Sequence, residues 1–380
     1  MTLTFSAIAV RTPLKVPTGI STRMITDRHY LLVRVHDSDG DISGFGYTYI
    51  GSHGSKSALL IFEEVFLPLL GSVQNEGISD IWESLYAETL LVGRGGIAIR
   101  VLSAIDIALW DLRSKQAKAP LSVMLGGGVR PVSAYASGGY YRSGEKPSQA
   151  IQEEIELNIK SGFTKHKIKV GGLDISQDAD RVAIANDVMP SGHILSLDAN
   201  NAYSSPSHAA KALSAFEKAA GDRGIWWFEE PLHPNDVAGH KFLRDRFLTP
   251  IASGEILQTR HDVLPFIHEQ AVDILQLDAG VIGGITEFNK VAHAAGVSGI
   301  LVAPHWHANL HVCLAPALEN CFVIEHFLLE KDIYNFENLL TEESRLQYKD
   351  GEVIPRNVPG LGIVFDENKL TEYSVTGNGW

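Results

Sequence analysis

The spacing of apolar and polar positions changes twice along the chain. Up to about residue 60 it is strand-like. In "HYLLVRVHDSDGDISGFGYTYI" two β-rich runs flank "DSDGD", which predicts a hairpin with its turn at those residues. From about 56 to 125 the period becomes helical, and "RVLSAIDIALWDLRSK" places Val101, Ala104, Ile105, Ala108, Leu109 and Leu112 on one stripe. The turn residues of "LGGGVRP" close that region.

After Pro131 short apolar runs recur at a spacing that suits βα units. They are "VSAYAS" (132–137), "KHKIKV" (165–170), "HILSLD" (193–198), "IWWFEE" (225–230), "PIASGE" (250–255), "VDILQLD" (272–278), "GILVAP" (299–304) and "CFVIEH" (321–326). Stretches such as "SQAIQEEIELNIKSG" and "HAAKALSAFEKAAG" supply the intervening helices. Eight strands alternating with helices predict an α/β fold built on a parallel (β/α)8 TIM barrel.

Composition narrows the partners. The formal charge is −13, from 45 acidic against 32 basic residues, which argues against nucleic acid and an anionic membrane surface. A small anionic substrate stays compatible, because a metal ion and a few lysines reverse the field inside one cleft. Two cysteines, Cys313 and Cys321, make no disulfide framework and fit a reducing cytoplasm. The first residues, "MTLTFSAIAVRTPLKV", lack a basic leader with a long apolar core. The run "ALLIFEEVFLPLLG" is interrupted by Glu63, Glu64 and Pro68 and reads as a buried helix, not a membrane span.

The strand ends carry the candidate chemistry. In a barrel of this kind the active site lies at the C-terminal ends of the strands. Those ends hold Lys167 and Lys169, Asp198 with Asn200 following, Glu229 and Glu230, Glu255, Asp278, His305 and Glu325. One charged end has an ordinary structural reading as a cap or ion pair; a shared register over seven successive strands does not. Asp198, Glu229 and Glu255 converge from adjacent strands and repel unless a cation sits among them. Oxygen ligands without cysteine select Mg2+ or a similar hard ion. Beside such a cation and a second lysine, a lysine's pKa falls into the range of a usable base. His305 lies one strand from Asp278, which would fix its tautomer. A metal, a lysine base and a His–Asp pair together point to abstraction of a proton α to a carboxylate.

"GFTKHKIKVG", "LDAN", "WFEEPL", "SGE", "DILQLDAGVIGGITE", "APH" and "IEH", in that order, resemble the enolase superfamily in its mandelate racemase subgroup over nearly the whole chain. The resemblance implies an N-terminal α+β capping domain at 1–125, completed by the segment 327–380, and a modified barrel at 126–326. It implies Mg2+ on Asp198, Glu229 and Glu255. It implies Lys169 as one base, Lys167 as its electrophilic neighbour, His305–Asp278 as the other base, and Glu325 as a hydrogen-bond donor to the intermediate. "LVGRGGIAIRVLSAIDIALWDLRSKQAKAPLSVMLG", "YASGGYY" and "FGYTYIGSHG" look most like the acid-sugar dehydratases of the subgroup that act on galactarate and talarate. Dehydration is preferred over racemisation or epimerisation on the same two-base site. Lys15, Arg23 and His53 in cap loops, with Asn200, are candidates to meet the substrate, against an equally simple reading as solvated loop residues. The expected partners are this small anionic substrate and further copies of the chain.

Rival readings are weaker. "APHWHANLH" offers His305, His307 and His311 to zinc, but Ala308 stands where a zinc peptidase helix needs glutamate, and "VSAYASGG" lacks the H-x-H of a barrel hydrolase. A non-catalytic binding protein need not keep the full reactive set. "GVIGGITEF" could hold an anion at a helix start, but such glycines more often make a tight turn. Asp106 and Asp111 are expected in surface or interdomain pairs. Lys165 has no catalytic role and is expected to be turned out by a bulge or a late strand start.

Overall fold

Strands β1 (Leu3–Ile20) and β2 (Arg23–Asp37) pair antiparallel from Leu3↔Asp37 to Ile20↔Arg23, with a register shift between Pro13 and Thr18. Strand β3 (Ile42–Gly51) pairs with β2, so the predicted hairpin turn falls at 38–41. The short strand Tyr141–Arg142 joins the far edge of β1. This computed structural model describes residues 3–71, 76–142, 144, 146–376 and 380.

Helices α1 (Ile78–Val92) and α2 (Ile97–Gln116) follow. Helix α2 lies directly on the sheet because β3 presents glycines to it. A Cβ on Gly46 would stand 2.0 Å from the Ala104 carbonyl oxygen, and one on Gly44 2.3 Å from that of Ala108. The predicted stripe from Val101 to Leu112 is buried, but so are Ile99, Leu102, Asp106, Ile107 and Asp111. The helix is covered on further sides because it also meets the barrel.

Eight parallel strands form that barrel: β4 (Val132–Gly138), β5 (Lys165–Lys169), β6 (Ile194–Asp198), β7 (Phe228–Glu229), β8 (Ile251–Ser253), β9 (Ile274–Leu275), β10 (Leu301–Val302) and β11 (Ile324–His326). Neighbours pair in chain order from β4 to β10, β11 pairs with β4, and a bridge from Val302 to Cys321 closes the ring. Helices α3 (Pro147–Lys160), α4 (Ile175–Val188), α5 (Pro206–Ala220), α6 (Val237–Arg246), α7 (Thr259–His268), α8 (Ile285–Val297) and α9 (Ala308–Leu314) alternate with them. The chain is a TIM barrel with an N-terminal α+β cap. The ladders end sooner than the apolar runs suggest. At Asp278 the chain is already turning, its carbonyl accepting the N–H of Val281 and Ile282.

Tyr135, Trp227, Ala252, Ile274, Ala303 and Val323 fill the barrel interior. Because side chains repeat every second residue, the same faces two positions on carry Ser137, Glu229, Gly254, Gln276, His305 and Glu325. The apolar plug is therefore the floor of the polar mouth.

One expectation needs correction. Lys165 begins a regular ladder opposite Ile194, with no bulge, and its ammonium donates to Ser133 Oγ at 2.7 Å. It lies on the same strand face as Lys167, at the end away from the mouth, and is half-buried. Asp106 and Asp111 are both buried, and for Asp106 the interdomain one of the two expected readings holds. Asp106 joins cap to barrel, accepting from the Thr286 N–H (2.9 Å) and Oγ1 (2.6 Å) in the first turn of α8. Its carboxylate thus occupies the helix start after "GVIGG", where an external anion was one reading. Asp111 accepts from the N–H of Phe45 (2.8 Å) and of Leu361 (2.7 Å). Beyond β11 the chain divides. Strands β12 (Gln347–Lys349) and β13 (Glu352–Ile354) form a hairpin whose second strand pairs with β4, while Val375 donates to the Ala9 carbonyl in the cap sheet.

Candidate active site

Register sets the mouth. Lys169 of β5 pairs with Asp198 of β6, and Asp198 with Glu229 of β7, so three charged strand ends stand side by side. Glu255 follows β8 after Gly254. One carboxylate oxygen from each of Asp198, Glu229 and Glu255 lies within 4.8 Å of the others, and all three residues are buried. Among the described residues this is the group of three or more acidic, histidine or cysteine ligands that converges, and it contains no histidine.

The lysines sit inside this acid cluster. Lys167 Nζ lies 2.6 Å from Glu229 Oε1, 2.8 Å from Glu325 Oε1 and 3.5 Å from Asp198 Oδ2. Lys169 donates to Asp198 Oδ2. Trp227 Nε1 holds the second oxygen of Glu229 at 2.9 Å, and the Trp306 N–H holds Glu325 Oε2 at 2.7 Å. Six buried carboxylates (Asp198, Glu229, Glu230, Glu255, Asp278 and Glu325) surround two lysines and one histidine, His305, so negative charge is in excess. The titration of the groups follows. Burial works against the Lys169 ammonium, but Asp198 outweighs it and raises the pKa. The expectation of a lowered lysine pKa presupposed a bound cation, and without one Asp198 holds the ammonium charged. Burial and Asp198 push Glu229 up to about 8 despite Lys167. Burial and Glu255 push Glu230 well above its ordinary value.

These features fit a hard divalent cation. Glu255 Oε2, Glu230 Oε1 and Asn200 Oδ1 are buried without a hydrogen-bond partner. A cation at the trio would offset charge that the protein's own ammonium groups leave uncompensated.

His305 stands across from the trio. Its Nδ1 lies 2.9 Å from Asp278 Oδ2, and its Nε2 3.3 Å from Glu255 Oε2, too poorly aligned for a hydrogen bond. Burial opposes its charge, but Glu255 and Asp278 raise it to about 9. His307 and His311 serve Asp278 and its turn. His307 Nδ1 lies 2.7 Å from Asp278 Oδ1, and His311 Nε2 accepts the Ala279 N–H at 3.1 Å.

A cavity of about 170 Å³ opens above these groups. The barrel lines it with Lys169, Asn200, Glu255 and His305, and the cap with Arg23, Arg28, Tyr49 and Arg100. Arg23 and Asn200 are therefore where the sequence placed them. His53 is not: its ring lies 6.0 Å from that of His29, tilted by 60°, in a wider depression of about 780 Å³ that no buried carboxylate lines. Lys15 is also elsewhere: it lies in the stretch where the β1–β2 register is interrupted, and its backbone N–H donates to Asp332. Sequence reasoning missed Arg28, Arg100, Tyr140 and Trp306. No local pattern marked them: Arg28, for one, stands between Asp27 and His29 on a strand that also carries Arg23 and Arg34.

Residues 2–126 match the family model described as mandelate racemase / muconate lactonizing enzyme, N-terminal domain, and residues 150–369 match enolase C-terminal domain-like. The chain is 33% identical to arabinonate dehydratase of Saccharolobus solfataricus, over 89% of each chain. It is 28% identical to L-talarate/galactarate dehydratase of Salmonella typhimurium, over 96% of this chain and 88% of that one. A racemase from Streptomyces coelicolor A3(2), whose crystal structure holds bound magnesium, superposes with a TM-score of 0.89 at 28% identity, covering 98% of this chain and 99% of that one. No helix among the described residues is long and apolar enough to cross a membrane.

Proposed function

The chain belongs to the mandelate racemase / muconate lactonizing enzyme family of the enolase superfamily, and from that premise we propose that it dehydrates an acid sugar. It would remove the proton α to a carboxylate and expel the β-hydroxyl, giving a 2-keto-3-deoxy acid. One observation carries this reading: Lys169 and His305 reach the same small cavity directly above the Asp198–Glu229–Glu255 trio.

The trio would hold Mg2+. When bound, the ion supplies a Lewis acid for the substrate carboxylate and charge to neutralise the enediolate. Lys169 takes the α proton, in a base form that requires Asp198 to direct its charge away from the ammonium. Lys167, fixed between Glu229 and Glu325, faces the developing negative charge as a preorganised cation. Burial favours the protonated form of Glu325 but Lys167 holds it ionised, so it would donate a hydrogen bond only after taking a proton from solvent, which the charge of an anionic substrate favours. The α C–H electron pair forms the enediolate. The β C–O bond then breaks, and the leaving hydroxide takes the Nε2 proton of His305 and departs as water. The enol that remains ketonises. Asp278 and Glu255 favour the imidazolium this acid step needs.

A racemase or epimerase is the second reading, because the same two groups would deliver protons to either face, and the Streptomyces coelicolor racemase shares the fold. Incubating the magnesium-loaded protein with a panel of mono- and diacid sugars in D2O separates them. A 2-keto product supports dehydration. Deuterium at the α carbon with inversion and no keto product replaces it with the second reading. Neither exchange nor product with any acid overturns both. Metal analysis of the purified protein tests the ion, and Glu255→Gln is expected to weaken the magnesium requirement.

A further inference from the structure

The cap wall of the cavity carries three guanidinium groups with no anion to meet. They are Arg23 at the start of β2, Arg28 further along it, and Arg100 on α2. Among the described residues none of them forms an ion pair. Arg28 is buried. Its Nη1 donates to the Tyr49 hydroxyl at 2.8 Å and its Nε to the Ile333 carbonyl at 3.2 Å, while Nη2 has no partner. The group is stacked on the rings of Trp306 (4.6 Å) and Tyr49 (5.4 Å). Arg100 Nη1 donates to the Tyr49 carbonyl at 2.6 Å, which fixes the guanidinium and leaves its other donors free. Burial lowers the Arg100 pKa; Asp278 and then Glu255 relieve this only in part, and the nearby charge of Arg23 adds to the lowering. Arg28 is buried, Arg100 half-buried and Arg23 exposed at the rim, and a buried cation without an ion-pair partner is costly unless a ligand supplies the counter-charge.

The reacting groups lie at the barrel end of the same cavity and the guanidinium groups at the cap end. We propose that Arg100, Arg23 and Arg28 form an anion subsite for the far carboxylate of the substrate, so that the acid sugar turned over is a diacid. This rests on the proposed dehydration and deepens it. The reacting carboxylate belongs at the trio with Lys167. The distal one takes the planar donors of Arg100, steadied by Arg28, and the hydroxyl-bearing carbons span between them. A monoacid ends in a neutral hydroxymethyl group and leaves the three cations unanswered. A terminal phosphate ester offers the same charge on a larger group.

The test compares a diacid sugar, the monoacid of identical stereochemistry and that monoacid's terminal phosphate ester, each with the magnesium-loaded enzyme, by formation of 2-keto product. The diacid is expected to exceed the monoacid in kcat/KM by about 10–100-fold, the range for charge-assisted hydrogen bonds. Arg100→Gln, on a partly exposed side chain, is expected to shrink the diacid-to-monoacid ratio at least tenfold, and Arg100→Lys to restore part of it. A ratio of one or less in the parent enzyme, an unchanged ratio in Arg100→Gln, or preference for the phosphate ester overturns the subsite. Keto product from monoacids alone overturns the subsite and leaves dehydration standing. Absence of product from all three, with the diacid binding more tightly than the monoacid by calorimetry, leaves the subsite standing and overturns dehydration.

Discussion

Replacing Lys167 by methionine removes the cation that half of the buried acid cluster shares. Its ammonium lies 2.6 Å from Glu229 and 2.8 Å from Glu325, with Asp198 at 3.5 Å, and all four side chains are out of water. At an effective dielectric constant near 20, each of the two close contacts carries about 6 kcal/mol of gross attraction. Desolvation of the ammonium offsets much of that, but the carboxylates left behind stay buried and unpaired, so the expected net loss is about 3–5 kcal/mol. The loss should depend on magnesium. A cation at the trio engages Asp198 and Glu229, two of the three partners, leaving Glu325 as the main orphan. The deficit is therefore expected to fall to about 2 kcal/mol in saturating magnesium, and the variant to bind the ion about 30-fold more tightly than the parent (range about 5–150-fold). Urea unfolding with EDTA and with magnesium measures the first, and titration calorimetry the second. A loss below about 1 kcal/mol, or one equal in EDTA and magnesium, would refute both the shared-cation account and the placement of the metal.

Lys169→Ala and His305→Asn are each expected to abolish turnover while circular dichroism stays that of the parent; full activity in either variant removes the two-group mechanism. Gly46→Val places side-chain atoms where the Ala104 carbonyl lies and is expected to lift α2 from the sheet, costing about 3 kcal/mol or more; an unchanged urea midpoint would contradict the close packing. His326 is buried between Phe163 and Tyr348 with neither ring nitrogen bonded, and burial, then Lys331, pushes its pKa down to about 3. Its contribution is complete above the unfolded value near 6.5 and is lost as pH falls, by about 2 kcal/mol at pH 5. His326→Phe should flatten that acid limb, and an unaltered slope between pH 7 and 5 would show the histidine is not buried neutral.

The barrel was legible because each of its eight strands is covered on both sides, which concentrates apolar residues into runs that the charged strand ends punctuate. Lys167, Lys169, Asp198 and Glu229 could be placed together for the same reason: a strand's period of two and a parallel register leave little freedom in where its last side chain goes. The cap wall was not legible. Arg28 and Arg100 reach the cavity only through the docking of two sheets of contacts that lie far apart in sequence, and no local period encodes that. For Lys15 and His53, charge and loop position alone do not fix which cavity a side chain meets: Lys15 falls where the β1–β2 register is interrupted, and His53 lines a different depression. Asp106 shows what the sequence did contain but spacing alone could not interpret. A carboxylate on an otherwise apolar helix needs donors, and it finds them at the start of α8. That contact has a consequence for the cavity, because Asp106 and Arg100 ride on the same helix, six residues or about 9 Å apart along its axis. The interdomain latch that satisfies Asp106 thereby also fixes the depth at which Arg100 enters the cavity. Loosening it should disturb the choice between diacid and monoacid before it disturbs the chemistry at Lys169 and His305, which stand on the barrel alone.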